Sequence, residues 1–129
     1  MGKDEVLIDT SAFILNKRRK GKVSVVTLIE IIEWALRKYN EHSKKGDKLR
    51  ALGYLNLITS LPLTVNEVIE IKGDEIRDLV YYVTEKSLDP TDAYLAVLSK
   101  RFKMPIITTD KDFERVKDEI EVIDPYNHN

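Results

Sequence analysis

Short apolar runs alternate along this chain with longer stretches whose apolar residues recur at helical spacing. Val6-Leu7-Ile8 is branched and apolar and predicts a buried strand ending at Asp9. Thr10 and Ser11 offer a cap for a short helix through Ala12-Phe13-Ile14-Leu15. Val23 to Val26 predicts a second strand, and Thr27 opens a long helix to about Asn40, with Leu28, Ile32, Ala35, Leu36 and Tyr39 as its apolar positions. A polar break at Ser43 to Asp47 precedes a helix carrying Leu49, Leu52, Leu55 and Ile58. Leu61 to Val65 predicts a third strand, entered through Pro62, and Asn66 a cap for a helix that Gly73 interrupts and that resumes to about Lys86. Asp89-Pro90 marks the start of another helix, with Ala93, Leu95, Ala96, Leu98 and Phe102 as its apolar positions. Pro105 to Thr108 predicts a fourth strand, Asp110 to Lys117 a short helix, and Val122-Ile123 a fifth strand.

Apolar strands alternating with helices imply a parallel sheet covered on both faces. The fold class expected is therefore α/β: one domain over residues 1–129, a three-layer α/β/α sandwich around a parallel sheet of four to five strands. No linker, repeat or low-complexity segment divides the chain.

Composition narrows the chemistry. With 129 residues, 43% hydrophobic and 33% charged, the chain can bury a core without staples. It has no cysteine, which removes disulfides, thiolate zinc sites and cysteine nucleophiles. No apolar run is long enough to span a membrane, and the first residues lack a signal-peptide layout, so a cytoplasmic location is expected. The net charge of −1 does not announce a nucleic-acid binder, but basic residues are grouped. Lys17, Arg18, Arg19, Lys20 and Lys22 form one such group and are candidate RNA contacts; they also read as an ordinary solvated loop.

The carboxylates are the more informative signal. Sites in open parallel sheets lie beyond the carboxyl ends of the strands. Asp9 ends the first strand and Asp110 follows the fourth. Glu30 lies in the first turn of the helix after the second strand, Asp92 in the first turn of the helix before the fourth. Each has a simpler alternative. Thr27-x-x-Glu30 fits a capping box, with Glu30 across the helix from the apolar stripe. Asp92 suits the dipole of its helix, and Asp110 can be a plain cap. Asp92 also poses a difficulty, because its helix precedes its strand and is expected to begin at the opposite end of a simple βα unit. A charge directly after Val-Leu-Ile needs a partner or a metal, which makes Asp9 the strongest of the four. If the acids converge, their oxygen-only ligand set favours Mg²⁺ or Mn²⁺, and phosphodiester hydrolysis is the natural chemistry. There is no glycine-rich phosphate loop and no candidate serine triad.

In this order the residues resemble the PIN domain family, especially its VapC-like toxins. Val6-Leu7-Ile8-Asp9-Thr10-Ser11 looks like the first motif and Ser24-Val25-Val26-Thr27-Leu28-Ile29-Glu30 like the second. Asp92-Ala93-Tyr94-Leu95-Ala96 is similar to the third, and Pro105 through Asp110, Asp112 and Phe113 to the fourth. The resemblance implies Asp9, Glu30, Asp92 and Asp110 as metal-ligating catalytic acids, which brings Asp92 into the cluster by analogy. It implies Asp112 as a supporting acid, and Ser11 and Thr109 as hydrogen-bonding groups that orient the carboxylates. It further implies RNA cleavage, either by a toxin silenced by a small antitoxin or by an RNA-processing enzyme that is not a toxin, and a homodimer. Only a short basic loop stands between the first two motifs, where family members usually place an extra helix on which an antitoxin often docks.

Two other classes fit less well. A phospho-acceptor receiver domain needs an Asp after the third strand, where Asn66 and Glu67 stand instead. A catalytically silent PIN-like binding module would not require the full set of acids that this chain carries.

Overall fold

The computed structural model describes residues 5–15 and 20–126. Lys17, Arg18 and Arg19 lie outside the described residues. The chain runs β1 (Leu7–Ile8), α1 (Thr10–Ile14), β2 (Lys22–Ser24), α2 (Val25–Lys44), α3 (Lys48–Thr59), α4 (Leu61–Thr64) and β3 (Glu67–Ile69). A 3₁₀ turn (Gly73–Glu75) leads into α5 (Ile76–Thr84), then α6 (Pro90–Phe102), β4 (Ile106–Ile107), a 3₁₀ helix (Lys111–Val116) and β5 (Val122–Ile123). The five strands form one sheet in the order β3-β2-β1-β4-β5, and every pairing is parallel.

Successive side chains of a strand point to opposite faces, so each two-residue apolar strand feeds both layers. Leu7 and Ile106 pack with Tyr82, Leu95, Leu98, Phe113 and Val116, beneath α5, α6 and the 3₁₀ helix. Ile8 and Ile107 pack with Ala12, Phe13, Ile31 and Leu61, beneath α1, α2 and α4. This is the expected α/β/α sandwich. No helix among the described residues is long and apolar enough to cross a membrane.

Four expectations need correction. α2 starts at Val25, and its cap is Ser24, whose Oγ accepts from the Thr27 amide at 2.9 Å. Thr27 is thus inside the first turn and cannot head a capping box with Glu30. The stripe α2 buries is Thr27, Ile31 and Ala35, while Leu36 is 43% exposed, so Glu30 borders the packed face instead of opposing it. Leu61–Thr64 is a helical turn, not a strand. Proline is tolerated in a first turn, where its missing N–H is not needed, and Val65 N donates to Leu61 O at 2.8 Å. The third strand is instead Glu67–Ile69, an edge strand with Glu67 and Val68 exposed, and Asn66 precedes it rather than a helix.

The fourth correction concerns α6. Its last residues lead through Lys103-Met104-Pro105 into the amino end of β4, so the helix runs antiparallel to the strands. Its first turn therefore lies at the carboxyl edge of the sheet, as in any βαβ crossover. The difficulty over Asp92 disappears with ordinary geometry.

Candidate metal centre

Asp9, Glu30, Asp92 and Asp110 line one open cleft of about 400 Å³ at the carboxyl edge of the sheet. They reach it from four elements. Asp9 closes β1 and caps α1, its Oδ1 accepting from the Thr10 amide at 2.8 Å. Glu30 comes from the second turn of α2, and its Oε1 accepts from Thr10 Oγ1 at 2.6 Å. Asp92 stands in the first turn of α6. Asp110 caps the 3₁₀ helix, its Oδ1 accepting from the Asp112 amide at 2.9 Å, so its cap role holds alongside its place in the cleft.

Asp9 sits at the centre of a hydroxyl network. Thr108 Oγ1 donates to Asp9 Oδ2 at 2.6 Å, and Ser11 Oγ donates to the same oxygen at 3.3 Å. Thr108 Oγ1 in turn accepts from the Asp110 amide at 2.9 Å, and Ser11 Oγ from the Thr109 amide at 3.1 Å. Ser11 is thus hydrogen-bonded to the carboxylate. The other hydroxyl belongs to Thr108, not Thr109, which contributes its backbone N–H. Thr108 was visible in principle: Leu7 pairs with Ile106 and Ile8 with Ile107, so the next position in register sets Thr108 beside Asp9.

The electrostatics are those of a site prepared for positive charge. Asp9 and Asp92 are each only 7% exposed. Burial raises the Asp9 carboxyl above its usual range, against the hydrogen bonds from Thr108 and Thr10, with Glu30 and Asp110 adding repulsion. Burial, then repulsion from Asp110 and Asp9, pushes Asp92 up to about 8. Among the described residues no Lys or Arg is ion-paired with Asp9, Glu30, Asp92 or Asp110. Buried carboxylates without a cationic partner and with only oxygen donors fit a hard divalent cation.

Among the described residues, the carboxylate oxygens close enough to share an ion include only Asp92 of these four, together with Asp89 and Asp112. Asp89, Asp92 and Asp112 each offer an oxygen, and these atoms lie within 4.8 Å of one another, a group that can hold a metal ion. Asp89 heads α6, its side chain makes no capping bond, and the residue lines the cleft. Sequence alone marks it only as a helix start. Asp112 also pairs with Arg115 at 3.4 Å. Lys22 behaves differently from the expected RNA contact. It begins β2, at the amino edge of the sheet away from the cleft, and its Nζ lies 3.5 Å from Glu5 and 3.3 Å from Glu67.

The sequence model of the PIN domain family matches residues 1–119, and the chain belongs to that family. Solved structures agree on the fold. A toxin–antitoxin complex from Klebsiella pneumoniae contains a chain 21% identical, with 96% of this chain and 100% of that one aligned at a TM-score of 0.62. VapBC-1 from nontypeable Haemophilus influenzae aligns at 0.66 with 17% identity over 95% and 98%. PAE2754 from Pyrobaculum aerophilum aligns at 0.66 with 18% identity over 92% and 89%. No curated protein matches the sequence.

Proposed function

We propose that this protein is a divalent-metal-dependent endoribonuclease and the toxin of a toxin–antitoxin pair. The observation that carries the proposal is the convergence of Asp9, Glu30, Asp92 and Asp110, from four separate elements, on one cleft. These four would hold Mg²⁺ or Mn²⁺, with Asp89 and Asp112 adjoining. When bound, such an ion supplies positive charge to the phosphate oxygens and makes water more acidic. The chain's own part is to keep the carboxylates in place. Thr108 and Ser11 fix Asp9, and Thr10 ties Asp9 and Glu30 together by donating its amide to one and its hydroxyl to the other.

RNA is the proposed substrate because the family resemblance points to it and the cleft suits a phosphodiester. The toxin role draws on solved complexes described as toxin–antitoxin assemblies. A small antitoxin and a second copy of the chain are the proposed protein partners, in the cytoplasm. Exposed apolar side chains such as Leu49, Leu52, Leu63, Ile76 and Val80 provide surface that a partner would cover.

The test is cleavage of a single-stranded RNA with Mg²⁺ or Mn²⁺ and with EDTA. Cleavage is expected only with metal. Asp9→Asn is expected to lower it by at least about 100-fold, beyond the 10–100-fold range typical of losing a supporting partner. The fold should survive, since Asn also caps helices well. Undiminished cleavage by Asp9→Asn overturns the assignment.

A further inference from the structure

We infer that Trp34 and Arg37 form a nucleotide-binding ledge on α2, on which one unpaired base of the substrate stacks while its phosphate meets the guanidinium. The inference rests on the ribonuclease proposal above and adds how a single strand is held. Glu30, Trp34 and Arg37 are spaced i, i+4 and i+7, so they share one stripe of α2 over roughly 10 Å of helix axis. All three line the cleft that holds Asp9 and Asp92. The ledge thus leads directly out of the carboxylate cluster.

The two side chains are suited to different parts of a nucleotide. Trp34 is half-buried, and its indole is braced edge-on by Tyr54, with ring centroids 5.4 Å apart and planes at 81°. Tyr54 is itself stacked on His42 at 5.5 Å. This bracing leaves an aromatic side chain in place at the mouth of a polar cleft, where stacking on a base is tolerant of sequence. Arg37 is the only cation among the described residues that line the cleft, against six carboxylates. No carboxylate among the described residues is ion-paired with it. Its planar guanidinium matches phosphate geometry. Beyond Arg37 the surface continues as a groove along α2 lined by Leu36, Asn40 and Lys44 together with Glu33 and Glu41, so Arg37 and Lys44 are the groups there that can meet a phosphate. A duplex keeps its bases stacked inside and cannot use the indole, so the ledge selects single strands.

Trp34 is the chain's one tryptophan, so its fluorescence reports on the ledge alone. The experiment titrates the full protein, in EDTA to prevent cleavage, with a short single-stranded oligoribonucleotide and with the corresponding duplex. Labelled-oligonucleotide anisotropy follows binding in the variants Trp34→Leu and Arg37→Ala. The single strand is expected to quench the tryptophan and the duplex to leave it unchanged. Trp34→Leu is expected to weaken binding about 5- to 100-fold, the range for one lost base–aromatic stack, and Arg37→Ala to weaken it comparably. Both should keep wild-type Mn²⁺ affinity and far-UV circular dichroism. Metal-dependent RNA cleavage by the wild type together with unaltered single-strand binding by Trp34→Leu overturns the ledge and leaves the ribonuclease proposal standing. A wild type that neither binds nor cleaves RNA overturns both.

Discussion

Thr108 Oγ1 donates a 2.6 Å hydrogen bond to Asp9 Oδ2 across 99 positions of sequence. Two adjacent parallel strands make that possible, since the Leu7–Ile106 and Ile8–Ile107 pairs bring the next residues level. The bond favours the charged carboxylate against a burial that opposes it. Thr108→Val should therefore raise the Asp9 pKa further and weaken Mn²⁺ binding about 10-fold or more. Calorimetric titration of the variant against Mn²⁺ checks this, and wild-type affinity would show that the hydroxyl is not a positioning group.

The raised Asp92 pKa makes a statement about stability. In the metal-free protein its carboxyl titrates near 8 against an ordinary 3.8, so the fold holds the proton more tightly than the unfolded chain does. A raised carboxyl stabilises nothing below the ordinary value and costs stability increasingly as pH rises from about 4 to about 8. Asp9 shifts in the same direction. Melting temperature in EDTA should therefore fall over that window on account of these groups, and Asp92→Asn should flatten the fall. Saturating Mn²⁺ should reverse it, most strongly at the alkaline end, where protons no longer compete. A wild type and an Asp92→Asn variant with the same pH dependence in EDTA would contradict the assignment.

Stability and activity should separate at the other edge of the sheet. Glu119 accepts from the Tyr82 hydroxyl at 3.0 Å and the Tyr81 hydroxyl at 3.1 Å, with Lys86 and Lys100 each at 3.5 Å. Tyr82 is 1% exposed, so Glu119→Ala leaves its hydroxyl without this acceptor. The expected cost is about 1–3 kcal/mol. Denaturant unfolding should register that loss, while the metal-dependent cleavage rate at a temperature where the variant is folded stays within about twofold, since among the described residues Glu119 bonds to Tyr81, Tyr82, Lys86 and Lys100 and to none of the acids. A cleavage rate that falls tenfold would show that the two edges are coupled.

Much of this architecture could be read from the residues, and the misreadings have definite causes. β1 and β4 are apolar runs bounded by polar residues, and Asp9 and Asp110 follow from strand-end logic. β3 escaped because an exposed edge strand with Glu67 and Val68 outward carries no buried run, while Leu61-Pro62-Leu63 imitates one although Leu63 is 89% exposed. Glu30 reads as opposite the packed face of α2 only if Leu36 belongs to that face, and Leu36 is 43% exposed. Asp92 is legible once helix direction is fixed, since a helix that feeds a strand must begin at that strand's far, carboxyl end. Asp89 reads in sequence as a helix start, and only the folded chain sets it at the cleft beside Asp92. Thr108 becomes legible only once β1 and β4 are set in register, which brings the position after Ile107 beside Asp9.

On the proposed function, Asp9 after β1, Glu30 of α2, Asp92 of α6 and Asp110 after β4 together bind a hard divalent cation. Crystals grown with millimolar Mn²⁺ and measured for anomalous scattering test it directly. An anomalous peak is expected in the cleft within about 2.0–2.3 Å of oxygens from Asp9, Glu30, Asp92 or Asp110, a range bracketing six-coordinate oxygen ligation, with no peak there in Asp9→Asn. An empty cleft at millimolar Mn²⁺, or a peak confined to surface carboxylates elsewhere, would contradict it.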